Sequence, residues 1–423
     1  MQTKDNAPIT AILIGAGARG WAYANYALEN PRKIKILGVA EPVEHVRASF
    51  AEKHKLPKEN IYTTWECVFE RDKFADAVLI CTQDKMHFEP TMAAIEKGYD
   101  ILLEKPISPV PEECIKLAKV AEEKGVKIIV CHVLRYTPFF LEIKNIIEQG
   151  GIGDVVSMVH NENVGYMHHA HSFVRGNWRK ESESSPMILA KSCHDVDIIQ
   201  WLIGKECLKV SSFGSLKFFN KENCPKEAPP RCTDGCPHDC AYDARKWYFP
   251  EGPNHKHAST WFAPVATQSL SPTYEEIRQV LQTGPYGRCV FQCDNDVVDH
   301  QVVNMEFEGG ITATFSMCAF THDINRTLRI MGTKGEIRGN MEDNSIIVYD
   351  FVKGTSRELN TKPVDGQVGH GGGDRGIMES FCDYIKGSYT GNALSEIGIS
   401  AKNHRIAFEG ERSRVNGGEV IHL

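Results

Sequence analysis

The chain has 423 residues, 42% of them hydrophobic and 24% charged, so it is long enough for two domains with cores of their own. The net charge of -7 is not gathered into blocks, which argues against a nucleic-acid partner. No apolar run approaches the roughly 20 residues of a membrane span, and the first residues lack a secretory pattern, so we expect a cytoplasmic protein without a membrane partner.

The first part of the chain alternates short β-branched runs with amphipathic helical stretches. Strands are predicted at residues 9–14, 34–39, 77–81, 101–103 and 127–131, and helices notably at 86–97 and 112–124. Strands that are apolar on both faces and alternate with helices indicate a doubly wound parallel sheet. We therefore expect a Rossmann-type domain over residues 1–135.

The pattern changes beyond residue 135. Period-two strands are predicted at residues 152–164, 208–219, 297–307, 311–320, 327–332 and 345–351, and helices at 187–202, 375–386 and 395–412. Glu308-Gly309-Gly310 is typical of a tight turn between two of these strands. Residues 136–423 should thus form an α+β domain on a largely antiparallel open sheet, with a Cys-, Pro- and aromatic-rich insertion at about 220–290.

The stretch 12-ILIGAGARGWAYANYA-27 places Gly15, Gly17 and Gly20 between the first strand and the first helix. In such a turn the first glycine permits the bend, the second lets the backbone approach a pyrophosphate, and the third lets the helix pack on the strand. Backbone N–H groups at the helix start then bind the phosphates. The pattern indicates a dinucleotide-binding turn.

Glu41 lies 21 residues beyond Gly20, at the end of the second strand. A carboxylate there accepts hydrogen bonds from the ribose hydroxyls and repels a 2′-phosphate, which favours NAD over NADP. Arg19 and Arg47 are cations close to the turn, and they leave NADP open as the less favoured cofactor.

Glu104-Lys105-Pro106 follows the apolar strand at residues 101–103. In an open parallel sheet, ligands bind beyond the carboxyl ends of the strands. This rule puts Lys105 where a nicotinamide should lie, whereas a lysine after a strand is otherwise simply solvated.

Taken in order, the glycine turn, 79-LICTQDKMH-87, Glu104-Lys105-Pro106, 132-HVLRY-136 and a later helix with His194 resemble the glucose–fructose oxidoreductase / inositol dehydrogenase / rhizopine-catabolism (Gfo/Idh/MocA) family. The resemblance covers nearly the whole chain. It implies that Lys105 and His194 transfer protons at a sugar or cyclitol hydroxyl, and it suggests a homodimer or homotetramer. It also implies a cofactor site that includes Arg19, Thr82, His87, Glu104, Lys105 and Arg135.

The chain departs from the family pattern one helical turn before His194. Many members have an aspartate there, whereas this chain has Ala190. The usual Asp–His pairing is therefore absent: either Lys191, Asp195 or Asp197 replaces that pairing, or the chemistry differs from simple dehydrogenation. Lys191 and Asp195 could instead form an i,i+4 surface salt bridge.

The stretch 162-ENVGYMHHAHSFVRGNWR-179 is rich in histidines and aromatic residues. Three nearby histidines suggest a metal, but acidic ligands are sparse and the spacing suits no common helical metal site. We favour a loop that lines a sugar pocket, where polar side chains bind hydroxyls and an aromatic ring stacks on the sugar. With neighbouring segments, the predicted substrate residues are Tyr136, Tyr166, His168, His169, His171, Arg175, Trp178, Lys191, Asp195 and His370.

His370 belongs to 369-GHGGGDR-375, a loop whose glycines would permit close approach to a ligand. The loop resembles the Gly-His-Gly-Gly loop of NAD-dependent glycosidases related to the family. Those enzymes oxidise a sugar hydroxyl transiently, eliminate the aglycone, add water and return the hydride. A flexible tether is the alternative interpretation.

Four cysteines lie within 224-CPKEAPPRCTDGCPHDC-240, namely Cys224, Cys232, Cys236 and Cys240. Four thiolates in a short irregular loop can close a tetrahedral zinc site that folds an insertion with little core. Free thiols and an iron–sulfur cluster remain alternatives, and in each case we expect a structural role.

Three hypotheses of function follow. The first is an NAD-dependent dehydrogenase that acts on a sugar, cyclitol or sugar derivative. The second is a glycosidase that retains its NAD, favoured by Ala190 and the glycine-rich loop. The third is a non-catalytic dinucleotide-binding protein, for which Lys105 and His194 would have no purpose.

Overall fold

The computed structural model describes residues 7–251, 258–269, 271–361 and 370–423. Its first sheet has six parallel strands in the order β3-β2-β1-β4-β5-β6. The strands are β1 Ile9–Ile14, β2 Ile34–Ala40, β3 Ile61–Tyr62, β4 Ala77–Ile80, β5 Asp100–Leu103 and β6 Ile128–Val130. This strand order confirms the predicted doubly wound sheet.

Helices cover both faces of this sheet, as the right-handed crossovers between parallel strands require. They are α1 Ala18–Glu29, α2 Glu44–His54, α3 Glu66–Phe69, α4 Phe88–Glu96 and α5 Pro111–Lys124. Pro111 begins α5, and Gly125 ends it in the left-handed conformation. The central strand β4 is buried along its whole length, which explains its unbroken apolar run.

The second sheet has nine strands in the order β14-β13-β12-β11-β7-β10-β9-β8-β15. They are β7 Val155–Asn163, β8 Cys207–Ser215, β9 His300–Phe307, β10 Ile311–Cys318, β11 Asn325–Gly332, β12 Gly335–Asn340, β13 Ser345–Asp350, β14 Thr355–Asn360 and β15 Ile421–His422. All pairs are antiparallel except β7 with β10, so the predicted largely antiparallel α+β domain is confirmed. The turn at residues 308–310 joins β9 to β10, with both glycines at positive φ.

The remaining helices are α6 Pro138–Glu148, α7 Tyr166–His169, α8 Met187–Ala190, α9 Cys193–Ile203, α10 Ala244–Trp247, α11 Ala263–Thr267, α12 Tyr274–Thr283, α13 Gly373–Ile385 and α14 Ile397–Val415. A turn of π-helix, Ala170–Arg175, continues α7. The single helix predicted over residues 187–202 is wrong, because the chain breaks between α8 and α9 at Lys191 and Ser192. In the described part of the chain, no helix combines the length and the apolar character needed to cross a membrane.

One face of the second sheet packs on α9 and α14, while the other carries exposed apolar side chains such as Phe213, which is 52% exposed. The alternation along β9, where every second residue is buried, follows from this one-sided core. The homodimer or homotetramer that would cover the open face stays a prediction, as do the domain boundaries at residues 135 and 136.

A buried ion pair joins the segment after β6 to α9. Arg135 holds Asp197 through two hydrogen bonds of 2.6 and 2.7 Å, and Asn403 on α14 donates to the same carboxylate at 2.7 Å. Arg135 and Asp197 are almost fully buried. Burial would raise the pKa of Asp197, but Arg135 holds that pKa below its usual value.

Removing one partner of this pair should destabilise the protein strongly. We expect Asp197→Ala to lower the free energy of unfolding by about 3–5 kcal/mol, because it leaves the buried charge of Arg135 uncompensated. The control is Glu96→Ala, which removes an exposed partner of Lys124 and should cost about 1 kcal/mol or less. Urea unfolding of both variants provides the measurement, and equal losses would contradict the assigned role of the buried pair.

Candidate active site

The glycine turn between β1 and α1 is shaped by close backbone contacts. Gly15 has φ +88°, and a Cβ there would lie 2.6 Å from the carbonyl oxygen of Cys81. A Cβ at Gly20 would lie 2.2 Å from the carbonyl oxygen of Gly15. At Gly17, by contrast, a Cβ would meet nothing within 4 Å. The turn therefore leaves open space in front of the N-terminus of α1, where no side chain caps the helix.

The carboxylate of Glu41 lies at the end of β2 beside this turn. It accepts hydrogen bonds from the backbone N–H of Ala16 at 2.8 Å and from that of Val43 at 2.9 Å. Arg47 donates to the backbone carbonyl of Glu41 at 2.6 Å rather than to its side chain. Glu41 is thus fixed at the rim of the open space, and Arg47 is turned toward backbone oxygens.

Lys105 follows β5, and its ammonium reaches across to the second domain. Its Nζ donates a hydrogen bond of 2.7 Å to the carbonyl oxygen of Ala190, the last residue of α8. The ring of His87 lies between the carbonyl oxygens of Thr82 (3.1 Å) and Pro106 (2.6 Å), and so joins the loop after β4 to the Lys105-Pro106 bond. Lys105 thus lies beyond the carboxyl end of β5, and its role in binding or catalysis stays a prediction.

Arg19 links three elements next to Lys105. Its Nε donates to Glu104 at 2.7 Å, and its Nη1 and Nη2 donate to the carboxylate of Asp374 at 3.0 and 2.7 Å. Glu104 also accepts from the hydroxyl of Tyr23 at 2.6 Å and from the backbone N–H of Lys105 at 3.0 Å. Burial would raise the pKa of Glu104, but Arg19 and Lys105 beside it hold that pKa below its usual value.

The imidazole of His194 lies at the start of α9, between two other histidine rings. The ring centres of His132 and His370 are each 5.9 Å from that of His194. Among the described residues, Nδ1 of His194 has no hydrogen-bond partner. Burial and the positive charge of Lys105 lower the pKa of His194 well below its usual value, so the ring is neutral at pH 7.

Lys191 and Asp195 do not pair with each other, contrary to the salt-bridge alternative. Nζ of Lys191 lies 3.3 Å from Oε1 of the buried Glu162, and Arg326 binds Glu162 at 2.6 Å and Asp195 at 2.7 Å. Asp195 also contacts the ring of His160 at 2.8 Å, and its pKa is lowered to about 2 because Arg326 and His160 outweigh burial. Asp195 therefore lies beneath the site, whereas the side chain of Lys191 remains 15% exposed.

Trp178 lies against the loop that follows β4. Its indole Nε1 donates to Oδ1 of Asp84 at 3.2 Å, and the hydroxyls of Ser184 and Ser185 donate to Oδ2 of the same carboxylate at 2.9 Å. The sequence analysis missed Asp84, although its position after a parallel strand is the signal that identified Lys105. It likewise missed Tyr23, Glu162 and Arg326, whose partners are distant in sequence.

Several predicted site residues are not brought to this cluster. The guanidinium of Arg135 is paired with Asp197, and the hydroxyl of Tyr136 forms a hydrogen bond of 2.9 Å with that of Ser395 inside the core. Arg175 donates to the carbonyl oxygens of Arg288 and Tyr242, both at 2.7 Å, and so anchors the insertion. These side chains were expected to face ligands, but their partners are internal.

The histidine stretch is mostly core. The ring of His169 stacks on Phe173 and Phe219, and Nδ1 of His171 lies 2.7 Å from the hydroxyl of Tyr248. Burial lowers the pKa of His169 to about 4 and that of His171 to about 3, so both rings are neutral at pH 7.

Two other members of this stretch lie nearer the insertion. His168 packs on Trp261, and Tyr166 packs on Trp247. Lys191 lies close enough to help lower the pKa of His168, although burial is the main cause. His168 therefore borders the cluster around Lys105, whereas Tyr166 is on its outer side.

The four clustered cysteines are not assembled into a metal site. Cys232 accepts from Arg175 at 3.6 Å, Cys224 from Gln292 at 3.5 Å and Cys240 from the backbone N–H of Tyr242 at 3.4 Å. Within the described ranges, no group of three or more Cys, His, Asp or Glu side chains is placed to hold a metal ion. The structure thus does not support the predicted zinc site, because each thiol with a described contact accepts a hydrogen bond from a different protein donor. Cys236 lines a small cavity together with Cys232 and Cys240.

The glycine-rich loop is described from residue 370 onward, so Gly369 lies outside the described residues. His370 has φ +43°, and its Nδ1 lies 3.2 Å from Asp374. Burial lowers the pKa of His370, although Asp374 opposes this shift. The loop therefore places a third histidine beside His194.

Together these contacts gather Lys105, Lys191, His194 and His370 beyond the carboxyl end of β5, with the glycine turn on the same side of the sheet. Neutral imidazoles can accept a proton, and an ammonium can stabilise negative charge on an oxygen. The arrangement is suited to proton transfer at a hydroxyl group.

The fold has counterparts among known proteins. Residues 9–132 match the family model described as oxidoreductase family, NAD-binding Rossmann fold, and residues 144–390 match the model for the oxidoreductase family C-terminal alpha/beta domain. A putative oxidoreductase, YteT of Bacillus subtilis (strain 168), is 26% identical over 72% of both chains. The 2,7-anhydro-N-acetylneuraminate hydratase of Escherichia coli (strain K12) is 27% identical over 35% of this chain and 40% of its own.

Among solved structures, levoglucosan dehydrogenase in complex with NADH and levoglucosan superposes with a TM-score of 0.72 at 18% identity, covering 98% of this chain and 99% of that one. This likeness concerns the fold. The two family models cover most of the chain in the order of its two sheets. The chain therefore belongs to the Gfo/Idh/MocA family of NAD-binding oxidoreductases.

Proposed function

We propose that the turn at Gly17 holds the pyrophosphate of NAD and that Glu41 binds its adenosine ribose. The support is the open space at Gly17 next to an uncapped helix N-terminus, which offers free N–H groups to an anion. Gly15 and Gly20 have no such space. The negative charge of Glu41 disfavours the 2′-phosphate of NADP.

A methyl group at Gly17 should block the dinucleotide without disturbing the fold. We expect Gly17→Ala to weaken NADH binding at least about tenfold, measured by fluorescence titration, because the new Cβ occupies the space meant for phosphate. The control is Gly398→Ala in α14, where a Cβ likewise meets nothing within 4 Å. Unchanged NADH affinity in Gly17→Ala would show that the phosphates lie elsewhere.

We propose that the protein oxidises a hydroxyl of a sugar, cyclitol or sugar derivative. When bound, NAD supplies the hydride acceptor for the carbon that carries this hydroxyl. The observation that carries the proposal is the position of Lys105, which lies beyond the end of β5 with its ammonium fixed by the carbonyl of Ala190. That fixed ammonium can hold the oxygen as its proton leaves.

His194 is the proposed proton acceptor. Its ring is neutral and lies at the start of α9 beside His370, so the imidazole can take the proton of a hydroxyl bound at Lys105. Trp178, His168 and His370 border the same space. Trp178 is held by Asp84 and can offer its ring to the face of a sugar, while the two histidines can bind hydroxyls.

A redox-neutral elimination is the second candidate. Two observations favour it: Ala190 stands near Lys105 where an additional carboxylate could lie, and the loop at His370 places another imidazole 5.9 Å from the ring of His194. A second imidazole could take a carbon-bound proton during elimination. One relative is named as a hydratase of an anhydro sugar, a net addition of water without net oxidation. In the glycosidase form of this candidate, the net reaction is cleavage of a glycoside by water.

The two candidates differ in how they use the dinucleotide. We would heat-denature freshly purified, extensively dialysed protein and measure the amount and redox state of the released nucleotide. About one NAD per chain would favour the redox-neutral reaction, and p-nitrophenyl glycosides would then be screened without added cofactor. Reversible binding of added NAD to empty protein would favour the dehydrogenase, to be screened for NADH formation with myo-inositol, D-glucose and levoglucosan. Failure to bind either NAD or NADP would contradict both.

Loss of the ammonium should abolish turnover but not cofactor binding. We expect Lys105→Met to lower kcat about 10²- to 10⁴-fold on the best substrate from these screens, the usual contribution of a proton-transfer group. NADH affinity should change little. Lys119→Met, which alters a lysine with a side chain 73% exposed on α5, is the matched control. Turnover within about threefold of the unmodified protein would remove Lys105 from the mechanism.

A further inference from the structure

The charges around the proposed substrate site are distributed unevenly between buried and accessible positions. Among the described residues, no carboxylate lies within 4.0 Å of the ammonium of Lys105, whose one described Nζ hydrogen bond goes to the neutral carbonyl of Ala190. Glu104 is adjacent in sequence, but its side chain is bound by Arg19, Tyr23 and the backbone of Lys105. The ammonium of Lys105 therefore makes no direct ion pair among the described residues, although Glu104 lies close enough to interact with its charge.

Lys191 adds a second ammonium on the same side. Its side chain is 15% exposed, whereas its partner Glu162 is fully buried and is also bound by Arg326 at 2.6 Å. Asp195, the other carboxylate beneath the site, is 0% exposed and is held by Arg326 and His160. The acidic groups here are buried beneath the cluster, and the ammonium groups are the parts that remain accessible.

Another acidic group near the cluster, Asp84, is also buried, at 6% exposed, and is bound by Trp178, Ser184 and Ser185. Burial lowers the pKa of His168, His194 and His370, so these rings are neutral at pH 7 and carry no charge of either sign. The carboxylate of Asp374 is turned toward Arg19. A ligand that enters next to Lys105 and Lys191 thus meets their ammonium groups as the accessible charges, whereas the carboxylates lie deeper.

We propose that the substrate carries a carboxylate and that Lys191 recognises it. This inference rests on the proposed function, since it names the class of sugar that the site takes: an acidic sugar such as a uronic acid. Because Lys105 is assigned to the reacting hydroxyl, Lys191 is the ammonium left for a charge on the substrate, and one ammonium beside neutral imidazoles suits a single negative charge. A phosphate monoester carries close to two charges and is usually met by several donors, such as an arginine fork or a helix N-terminus.

The test compares matched neutral and acidic sugars on protein saturated with NADH. Binding of D-glucose against D-glucuronate, and of D-galactose against D-galacturonate, is measured by calorimetry, with D-glucose 6-phosphate as the phosphate arm. We expect the acid to bind at least tenfold more tightly than its neutral partner in one pair or more, and more tightly than the phosphate. High salt should reduce this preference, because it is electrostatic.

Two variants test whether Lys191 and Lys105 cause the preference for the acidic sugar. Lys191→Met should reduce the acid-to-neutral ratio to within about threefold, because the acidic sugar loses its partner, while Glu162 keeps Arg326 as its own partner. Ala190→Asp should have the same effect on the ratio by placing a carboxylate beside Lys105. Lys402→Met removes an exposed lysine on α14 and should leave the ratio intact.

The outcomes separate the inference from the function on which it rests. Failure of the unmodified protein to bind NADH would contradict the proposed function itself. If the protein binds NADH normally but prefers the acid in neither pair of sugars, only the carboxylate inference is overturned. A pair in which neither sugar binds counts as showing no preference. Tighter binding of the phosphate, or an acid preference that survives in Lys191→Met, overturns it as well.

Discussion

The ion pairs of Arg19 are the interaction on which the rest of the site depends. Arg19 is the second residue of α1, whose start has no side-chain cap. It binds both Glu104, which follows β5, and Asp374 on α13. Because Glu104 also accepts from the backbone of Lys105, this one guanidinium sets the glycine turn, the Lys105 strand end and the His370 loop relative to each other. Loss of Arg19 would leave two buried carboxylates without a cation, which is a costly state.

The same principle operates on the far side of Lys105. Glu162 and Asp195 share Arg326, and Asp197 takes Arg135. Each of these three carboxylates is thus matched to a buried guanidinium from another element, and the planar fork of arginine suits such paired contacts. Lys191, by contrast, pairs with Glu162 while part of its side chain remains exposed. Arginines therefore make the buried ion pairs around the site, and the lysines are more accessible.

The fold could be predicted from sequence largely because each sheet has a simple pattern. Strand β1 was predicted to the residue, and β4 and β5 to within one residue, because continuous apolar runs bounded by helices leave little choice. The break between α8 and α9 was missed for a physical reason. Nearly every residue from Met187 to Ile203 is buried, so no polar face marks where one helix ends and the next begins.

Side-chain partners were harder to predict than side-chain positions. The strand-end rule predicted the place of Lys105, since the rule depends on topology alone, and the family resemblance pointed to Glu104 and the loop of His87. Neither argument could show that Arg135 forms an ion pair with Asp197, which is 62 residues away, or that His169 stacks between Phe173 and Phe219. A histidine has the same appearance in a sequence whether it binds a sugar or fills a core. Burial, which decides between these roles, arises only when distant segments meet.

Burial also gives His194 and Lys105 different roles in the proposed proton transfer. A histidine whose pKa is lowered well below its usual value is unprotonated at neutral pH, so His194 can accept a proton but is a poor reservoir of one. Lys105, fixed by a neutral carbonyl, offers an ammonium to the oxygen that loses this proton. The same lowered pKa makes the ring of His194 a weak base, because the charged state that forms when it accepts a proton is also buried beside Lys105. In our mechanism the ammonium of Lys105 therefore has to stabilise the oxygen while its proton leaves.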